Sequence, residues 1–296
     1  MSEPEEASKT RMADFQAWED AAIQDRQTQR ERIASEVFLA ALGSTESFRK
    51  KVFLKGGVLV GAVYKSGRNT ADLDFSTTLK PSKDFLEKLE AELVAALPSA
   101  SALVGSPDTI LKVQSVKYRP RPETFVEADA PAIEVKFAYA ERGSKNEERL
   151  RSGKSSNVIY ADISFNEEIS IIEEICIGES GVSFFAYAKS DLIAEKLRSV
   201  IQQKIRKRNR RQDVYDLWFL INNHPVTVGE IEEIKAAFIR KCRTRGIDPD
   251  VKSLEDDEVV ERSRSEWDTL AAEVEFLPTF DEAYDTVAEF YTSLWD

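Results

Sequence analysis

Asp72 and Asp74 are separated by a single residue, in a stretch (Asp72-Leu73-Asp74-Phe75-Ser76) that alternates polar and apolar residues. Alternation with period two predicts a strand, and on a strand residues i and i+2 share a face, so both carboxylates converge beside the sheet. Carboxylates held together repel unless a cation neutralises them, and an all-oxygen donor set suits magnesium or manganese. A bare pair of this kind also occurs on ordinary solvated strands. Upstream, the apolar run Val52-Phe53-Leu54 leads into Gly56-Gly57, which reads as a strand and then a tight turn. Glycines after a strand let the backbone approach a phosphate, and N–H groups at a helix start can hold it. Neither a GxxxxGKS/T phosphate loop nor a GxGxxG fingerprint occurs. A carboxylate pair facing a phosphate-holding turn is the arrangement that metal-assisted nucleotidyl transfer requires.

Other chemistries are removed by composition. The one histidine, His224, excludes HExxH-type metal sites and leaves little room for a hydrolytic triad; it follows a predicted helix and reads as a surface or capping residue. Cys176 and Cys242 lie far apart, which excludes a disulfide scaffold or a cysteine zinc site, and Cys176, within Ile175-Cys176-Ile177, reads as a core thiol. The 296 residues are 42% apolar and 32% charged, enough for a sizeable core. No apolar run approaches the roughly 18 residues of a membrane span, and the opening residues are acidic and polar, unlike a signal peptide. A soluble cytoplasmic protein with no membrane partner is expected.

The net charge of −12 is unevenly placed: residues 250–296 carry 15 acidic side chains against Lys252, Arg262 and Arg264, so the remainder balances to zero. Lys196 to Arg211 holds eight basic residues and no acidic one. Within it Lys204, Arg206, Lys207 and Arg208 read equally as RNA-phosphate contacts or as a solvated basic turn, because the local field and not the net charge governs anion binding. Trp18, Trp218, Trp267 and Trp295 are dispersed in sequence, so no base-stacking platform is expected from them.

The elements that must position these residues follow from periodicity. Residues 1–29 are a polar extension, read as a frayed or surface helix. Glu31 to Leu42 predicts a helix stopped by Gly43-Ser44, and residues 83–97 predict another with Pro98 beyond its end. Ser66 to Thr70 is a loop. Ile110–Tyr118, Ala132–Ala138 and Asn157–Phe165 alternate like the Asp72 segment, for a mostly antiparallel or mixed sheet of about four or five strands. After about residue 187 the pattern is helical: 192–205, 214–221, 231–241, 268–275 and 281–294. The fold class expected is α/β (α+β), with a core at 30–187 and a helical lobe at 188–296.

The segment FLKGGVLVGAVYKSGRNTADLDFS resembles the core motif of the AbiEii-type nucleotidyltransferase toxins, within the DNA polymerase β-like superfamily. Lys55-Gly56-Gly57 and Asp72-Leu73-Asp74-Phe75-Ser76 match it at the family's interval. The family usually places a small or hydroxyl residue after the second glycine. This chain has Val58, so a hydroxyl contact to the triphosphate is lost. Val158 to Phe165 resembles the family's strand ending in DISF, Ala194-Glu195-Lys196-Leu197 its EKL helix, and Arg210 to Leu217 its RxxDxYDL element.

The resemblance implies a polymerase-β-like core with a small mixed sheet followed by a helical lobe, acting as the toxin of a toxin–antitoxin or abortive-infection pair. Asp72, Asp74 and Asp162 would hold magnesium (or manganese), with Glu134 a rival third ligand. Gly56, Gly57, Arg68 and Lys196 would bind the NTP, and Asp213 would organise Lys196 or the attacking group. Asp216, on the same helix face, could take that role instead. The acceptor implied is RNA, the tRNA 3′ end, and a cognate antitoxin is the implied partner. The alternatives are a nucleotide-binding regulator that has lost transfer, or transfer to a protein hydroxyl.

Overall fold

Alternating residues build the sheet and decide which of its faces is dry. The computed structural model describes residues 5–22, 24–70 and 72–296. Its strands are β1 (Glu5–Ala13), β2 (Val52–Lys55), β3 (Leu73–Thr77), β4 (Thr109–Arg119), β5 (Ala132–Glu141), β6 (Val158–Ser164), β7 (Ile171–Ile177) and β8 (Ser183–Tyr187). They form one sheet in the order β1-β7-β8-β2-β3-β6-β5-β4. β2 is antiparallel to β3 and parallel to β8, β3 is parallel to β6, and β5 is antiparallel to both β4 and β6. Leu73 and Phe75, Ile133, Val135 and Phe137, and Ile159, Ala161 and Ile163 are buried on one face, and the residues between them point to the other.

The sheet is mixed, as expected, but it is wider than the sequence pattern suggests. β1 lies where a frayed or surface helix was expected. Its polar residues suit an edge strand, since edges tolerate charge and need no apolar alternation. The Gly178 N–H donates to the Ala13 carbonyl at 3.0 Å, and Arg11 pairs with Glu173 at 3.3 Å. Residues 1–4 of the expected extension lie outside the described residues. β7 and β8 were also unexpected, because the doubled isoleucines and glutamates of Ile171–Glu174 break the alternation. Within β7, Ile175 and Ile177 are buried while Cys176 is only partly so, and it is not the core thiol expected.

The dry face is covered by α2 (Arg26–Gly43), which follows the short α1 (Phe15–Asp20). Asp25 caps α2 by accepting from the Gln27 and Thr28 N–H groups. The Phe38 ring lies 5.9 Å from that of Phe75 and 4.7 Å from that of Phe137, fixing the helix over β3 and β5. β2 runs into the single turn α3 (Gly56–Val58), continued by a π turn over Leu59–Val63. α4 (Phe85–Leu103) contains Pro98 and does not stop before it. Proline removes one helical hydrogen bond and crowds the carbonyl four residues earlier. Here that residue, Val94, is 58% exposed, so water can serve its carbonyl, while Ala100 and Ser101 are buried and hold the next turn. A short α5 (Lys145–Arg151) follows β5.

Glu19 of α1 and Glu36 of α2 are both buried. Burial, then the hydrogen bond and charge of Glu36, push the Glu19 carboxyl up to about 9, so this pair retains a proton at neutral pH.

The chain divides into two compact units. The sheet unit comprises Met1–Lys65, Thr70–Glu167 and Ile172–Ala186; the helical unit comprises Ser66–Asn69, Glu168–Ile171 and Tyr187–Asp296. The latter contains α6 (Lys189–Arg206), α7 (Arg211–Asn223), α8 (Val228–Arg243), α9 (Asp257–Arg264) and α10 (Phe280–Ser293). Leu192, Leu197 and Val200 of α6, Val214 and Leu217 of α7 and Phe238 of α8 are buried and form its core. Helix was expected over 268–275, where a single 3-10 segment spans Trp267–Ala272. His224 provides the C-cap of α7, donating its N–H to the Leu220 carbonyl. No helix of the described residues is long and apolar enough to cross a membrane.

Candidate active site

Sheet register places the carboxylates side by side. Asp74 of β3 is the direct partner of Asp162 of β6, and Asp162 is the direct partner of Glu134 of β5. Lys55 of β2 lies opposite Asp74 and Lys117 of β4 opposite Glu134, so one row crosses five strands. Directly paired residues point to the same face, the one away from Phe75 and Phe137. Asp72 stands immediately before β3. Its carboxyl is held above the usual range by burial, then by the charges of Asp162 and Glu134. Although its side chain reaches solvent, protein crowds it on one side.

The glycine turn is built against this row. Gly56 has φ of +74°, a left-handed conformation, and a β-carbon there would lie 2.2 Å from Asp74 Oδ2. Only glycine meets both demands. Gly57 and Val58 are buried, Val58 fully, so the residue in the family's hydroxyl position is a core side chain here. Lys55 pairs with Glu167, whose Oε2 also accepts from Ser76 Oγ at 2.6 Å. Glu167 was not foreseen.

The two oxygens of Asp162 are partnered unequally. Asp162 Oδ2 pairs with Arg119, at the end of β4, while its Oδ1 is buried with no hydrogen-bond partner. Burial disfavours the Arg119 cation, but the bond and charge of Asp162, then Glu134 and Asp74, outweigh it and the net shift is upward. Among the described residues no three Asp, Glu, His or Cys side chains approach closely enough to enclose a metal ion. The donors nonetheless fit a hard divalent cation in kind: they are all oxygens, they carry excess negative charge, and one buried oxygen lacks a partner. Arg119 supplies part of the compensating charge.

In the helical unit the expected nucleotide-binding and catalytic residues form a second cluster. Lys196 Nζ of α6 lies 3.0 Å from Asp213 Oδ1 and 2.6 Å from Asp216 Oδ2, both on α7. Arg68 donates to Asp216 through Nε at 2.9 Å and through its terminal nitrogen at 3.1 Å. Asp216 is fully buried; Asp213 keeps 17% of its side chain exposed and is the more open of the two. Burial acts against every one of these charges. For Lys196 the carboxylates of Asp216 and Asp213 overcome it, and for Asp216 the cations Arg68 and Lys196 do so. Lys196 is therefore held above its ordinary range and Asp216 below its own.

The basic stretch is not a bare positive surface. Lys204 pairs with Asp256 at 2.6 Å, Lys207 with Glu258 at 2.8 Å and Arg211 with Glu266 at 3.3 Å, all partners drawn from the acidic C-terminal residues. Arg206 and Arg208 have no carboxylate partner among the described residues. Burial, followed by the charges of Arg245, Arg198, Arg208 and Arg210, pulls the Arg206 guanidinium down.

Trp218 is not isolated: its ring lies 5.6 Å from Tyr215 and 6.1 Å from Phe276, with tilts of 41° and 34°. Partners 58 positions apart in sequence leave no local signal of such a run.

Comparison with known proteins agrees with the geometry of the sheet. No curated protein sequence matches the chain. Among solved structures, MenT4, a nucleotidyltransferase toxin of Mycobacterium tuberculosis H37Rv, superposes with a TM-score of 0.52 at 17% identity, covering 95% of this chain and 89% of that one. JHP933 from Helicobacter pylori gives a TM-score of 0.45 at 13% identity over 91% of this chain and 92% of its own. The MenT4 match shows a shared fold. The profile of the family described as nucleotidyl transferase AbiEii toxin, Type IV TA system, matches residues 37–286, which include both clusters. The chain is a nucleotidyltransferase and belongs to the AbiEii toxin family of type IV toxin–antitoxin systems.

Proposed function

We propose that this protein transfers a nucleoside monophosphate from an NTP to a hydroxyl at the 3′ end of tRNA, in the cytoplasm, releasing pyrophosphate. The observation that carries the reading is the register of Asp74 beside Asp162, with Gly56 packed against the Asp74 carboxylate. Asp72, Asp74 and Asp162 would hold a divalent cation, magnesium or manganese, with Glu134 at the flank. When bound, such an ion supplies charge neutralisation for a triphosphate and activates an attacking oxygen. The backbone of Gly56 and Gly57 binds phosphate oxygens without a side-chain hydroxyl, since Val58 is turned into the core. Within the helical unit, Lys196 and Arg68 are the cations assigned to the anionic substrate. Asp213, the more open carboxylate, positions Lys196.

The test is incubation with each α-³²P-labelled nucleotide and magnesium, with either total tRNA or the protein alone. Label in tRNA is expected. Label only in protein would move the acceptor to a protein hydroxyl, and label in neither would overturn transfer.

A further inference from the structure

Phe276 is the only phenylalanine among the exposed large apolar residues described, with 63% of its surface accessible. Its ring centroid lies 6.1 Å from that of Trp218 at a tilt of 34°, and Trp218 lies 5.6 Å from the buried Tyr215 at 41°, so the exposed ring adjoins two further aromatic side chains. The Tyr215 hydroxyl donates to the Phe276 carbonyl at 3.4 Å and fixes the loop that presents the ring. The same loop is tied to the Lys196 cluster. The Asn69 N–H donates to the Glu273 carbonyl at 2.6 Å, Arg68 lies 3.8 Å from Glu273, and Arg68 shares Asp216 with Lys196.

An exposed aromatic ring has several ordinary uses, and the surroundings separate them. A protein partner needs a contiguous apolar patch of several hundred Å². Phe276 instead follows the exposed, charged Glu275, and α7 presents the exposed polar Gln212 nearby, hydrogen-bonded to Glu273 at 2.9 Å. A flat π ligand needs only one exposed ring held in place, and the Tyr215 hydrogen bond to the Phe276 carbonyl together with the adjoining Trp218 ring holds this one.

We propose that Phe276, beside Trp218, is a stacking platform for a nucleobase of the substrate. This rests on the transfer reading above and adds to it a place for a base. Two sources share that chemistry, the base of the NTP and a base at the acceptor end of tRNA, and stacking tolerates any base because every base has a π face.

The experiment compares wild type with Phe276→Ala and Phe276→Leu, the leucine keeping apolar bulk without a π face. Equilibrium binding is measured for the four NTPs, for inorganic tripolyphosphate, and for tRNA without nucleotide. Because the ring is exposed, both variants should fold, and an unchanged denaturation midpoint checks this. Both should lose about tenfold in affinity for one partner, at the low end of what one base–aromatic stack contributes. A loss for NTPs but not for tripolyphosphate assigns the platform to the incoming nucleotide; a loss for tRNA alone assigns it to the acceptor. Wild-type affinity for all probes in Phe276→Ala, or full retention in Phe276→Leu, overturns stacking while leaving transfer to RNA standing. If the wild-type protein binds neither NTP nor tRNA, both readings fall.

Discussion

The sheet unit and the helical unit each gather charged side chains, and they settle the charge in different ways. In the helical unit Lys196 and Arg68 face Asp213 and Asp216, two cations against two carboxylates, and the central Asp216 is fully buried. In the sheet unit Arg119 pairs with one oxygen of Asp162, and the other, buried oxygen of Asp162 has no hydrogen-bond partner. A closed network fixes positions, because any member removed strands the others in a low-dielectric interior. An open network keeps negative charge in reserve for something that arrives. The closed cluster thus holds Lys196 and Arg68 in fixed positions, while the open one leaves a carboxylate oxygen without a partner.

The largest effect should come from opening the closed cluster. Asp216→Ala leaves Lys196 and Arg68 without their shared buried carboxylate, and should cost about 3–5 kcal/mol of stability. A urea midpoint close to that of wild type would mean the cluster is not the anchor described. The open cluster should answer in activity more than in stability. Asp74→Asn should lower transfer at least about a hundredfold, roughly 2.7 kcal/mol of barrier, while shifting the midpoint less than Asp216→Ala does. Retained transfer would remove the row from the chemistry.

Arg119 offers a finer test. If it balances carboxylates that a metal would otherwise use, Arg119→Gln should tighten manganese binding by about threefold to tenfold, read by paramagnetic resonance without nucleotide. Weaker or unchanged binding would show that Arg119 and the metal do not compete.

A smaller effect separates a third solution to crowding, in which a proton replaces the cation. The folded-state value of Glu19, about 9, lies above its ordinary 4.5. Its contribution to stability is therefore complete below the ordinary carboxylate range and is lost as pH rises through about 9. The thermal midpoint should fall as pH rises from about 4.5 to about 9, and Glu19→Gln should flatten that decline. An identical slope in the variant would place the titrating group elsewhere.

What the sequence disclosed depended on how local the signal was. Gly56-Gly57 and the strand carrying Asp74 were legible because the strand, the glycine turn and the next strand follow closely in sequence; Asp72 stands just before that strand. The mixed sheet was legible in β3, β5 and β6 because their residues alternate with period two. β1 was not, since an edge strand of polar residues carries no apolar rhythm, and Ile171–Glu174 hid β7 by doubling its residue types. The Arg119–Asp162 pair joins positions 43 apart, and nothing in either neighbourhood announces it. Counting charges along the chain also fell short. The eight basic residues of 196–211 read equally as an RNA contact or a solvated turn, and nothing in the sequence signals that Asp256, Glu258 and Glu266 come back to meet three of them.

The contact between Gly56 and Asp74 has a mechanical side. Because the turn's α-carbon rests against the carboxylate, with no room for a β-carbon between them, neither can shift without pushing the other. β2 and β3 are also neighbouring strands, with Lys55 directly opposite Asp74. Turn and carboxylate therefore form the rigid corner of a jaw, and a ligand gripping the backbone at Gly56 sets, in the same movement, where the Asp74 oxygens stand.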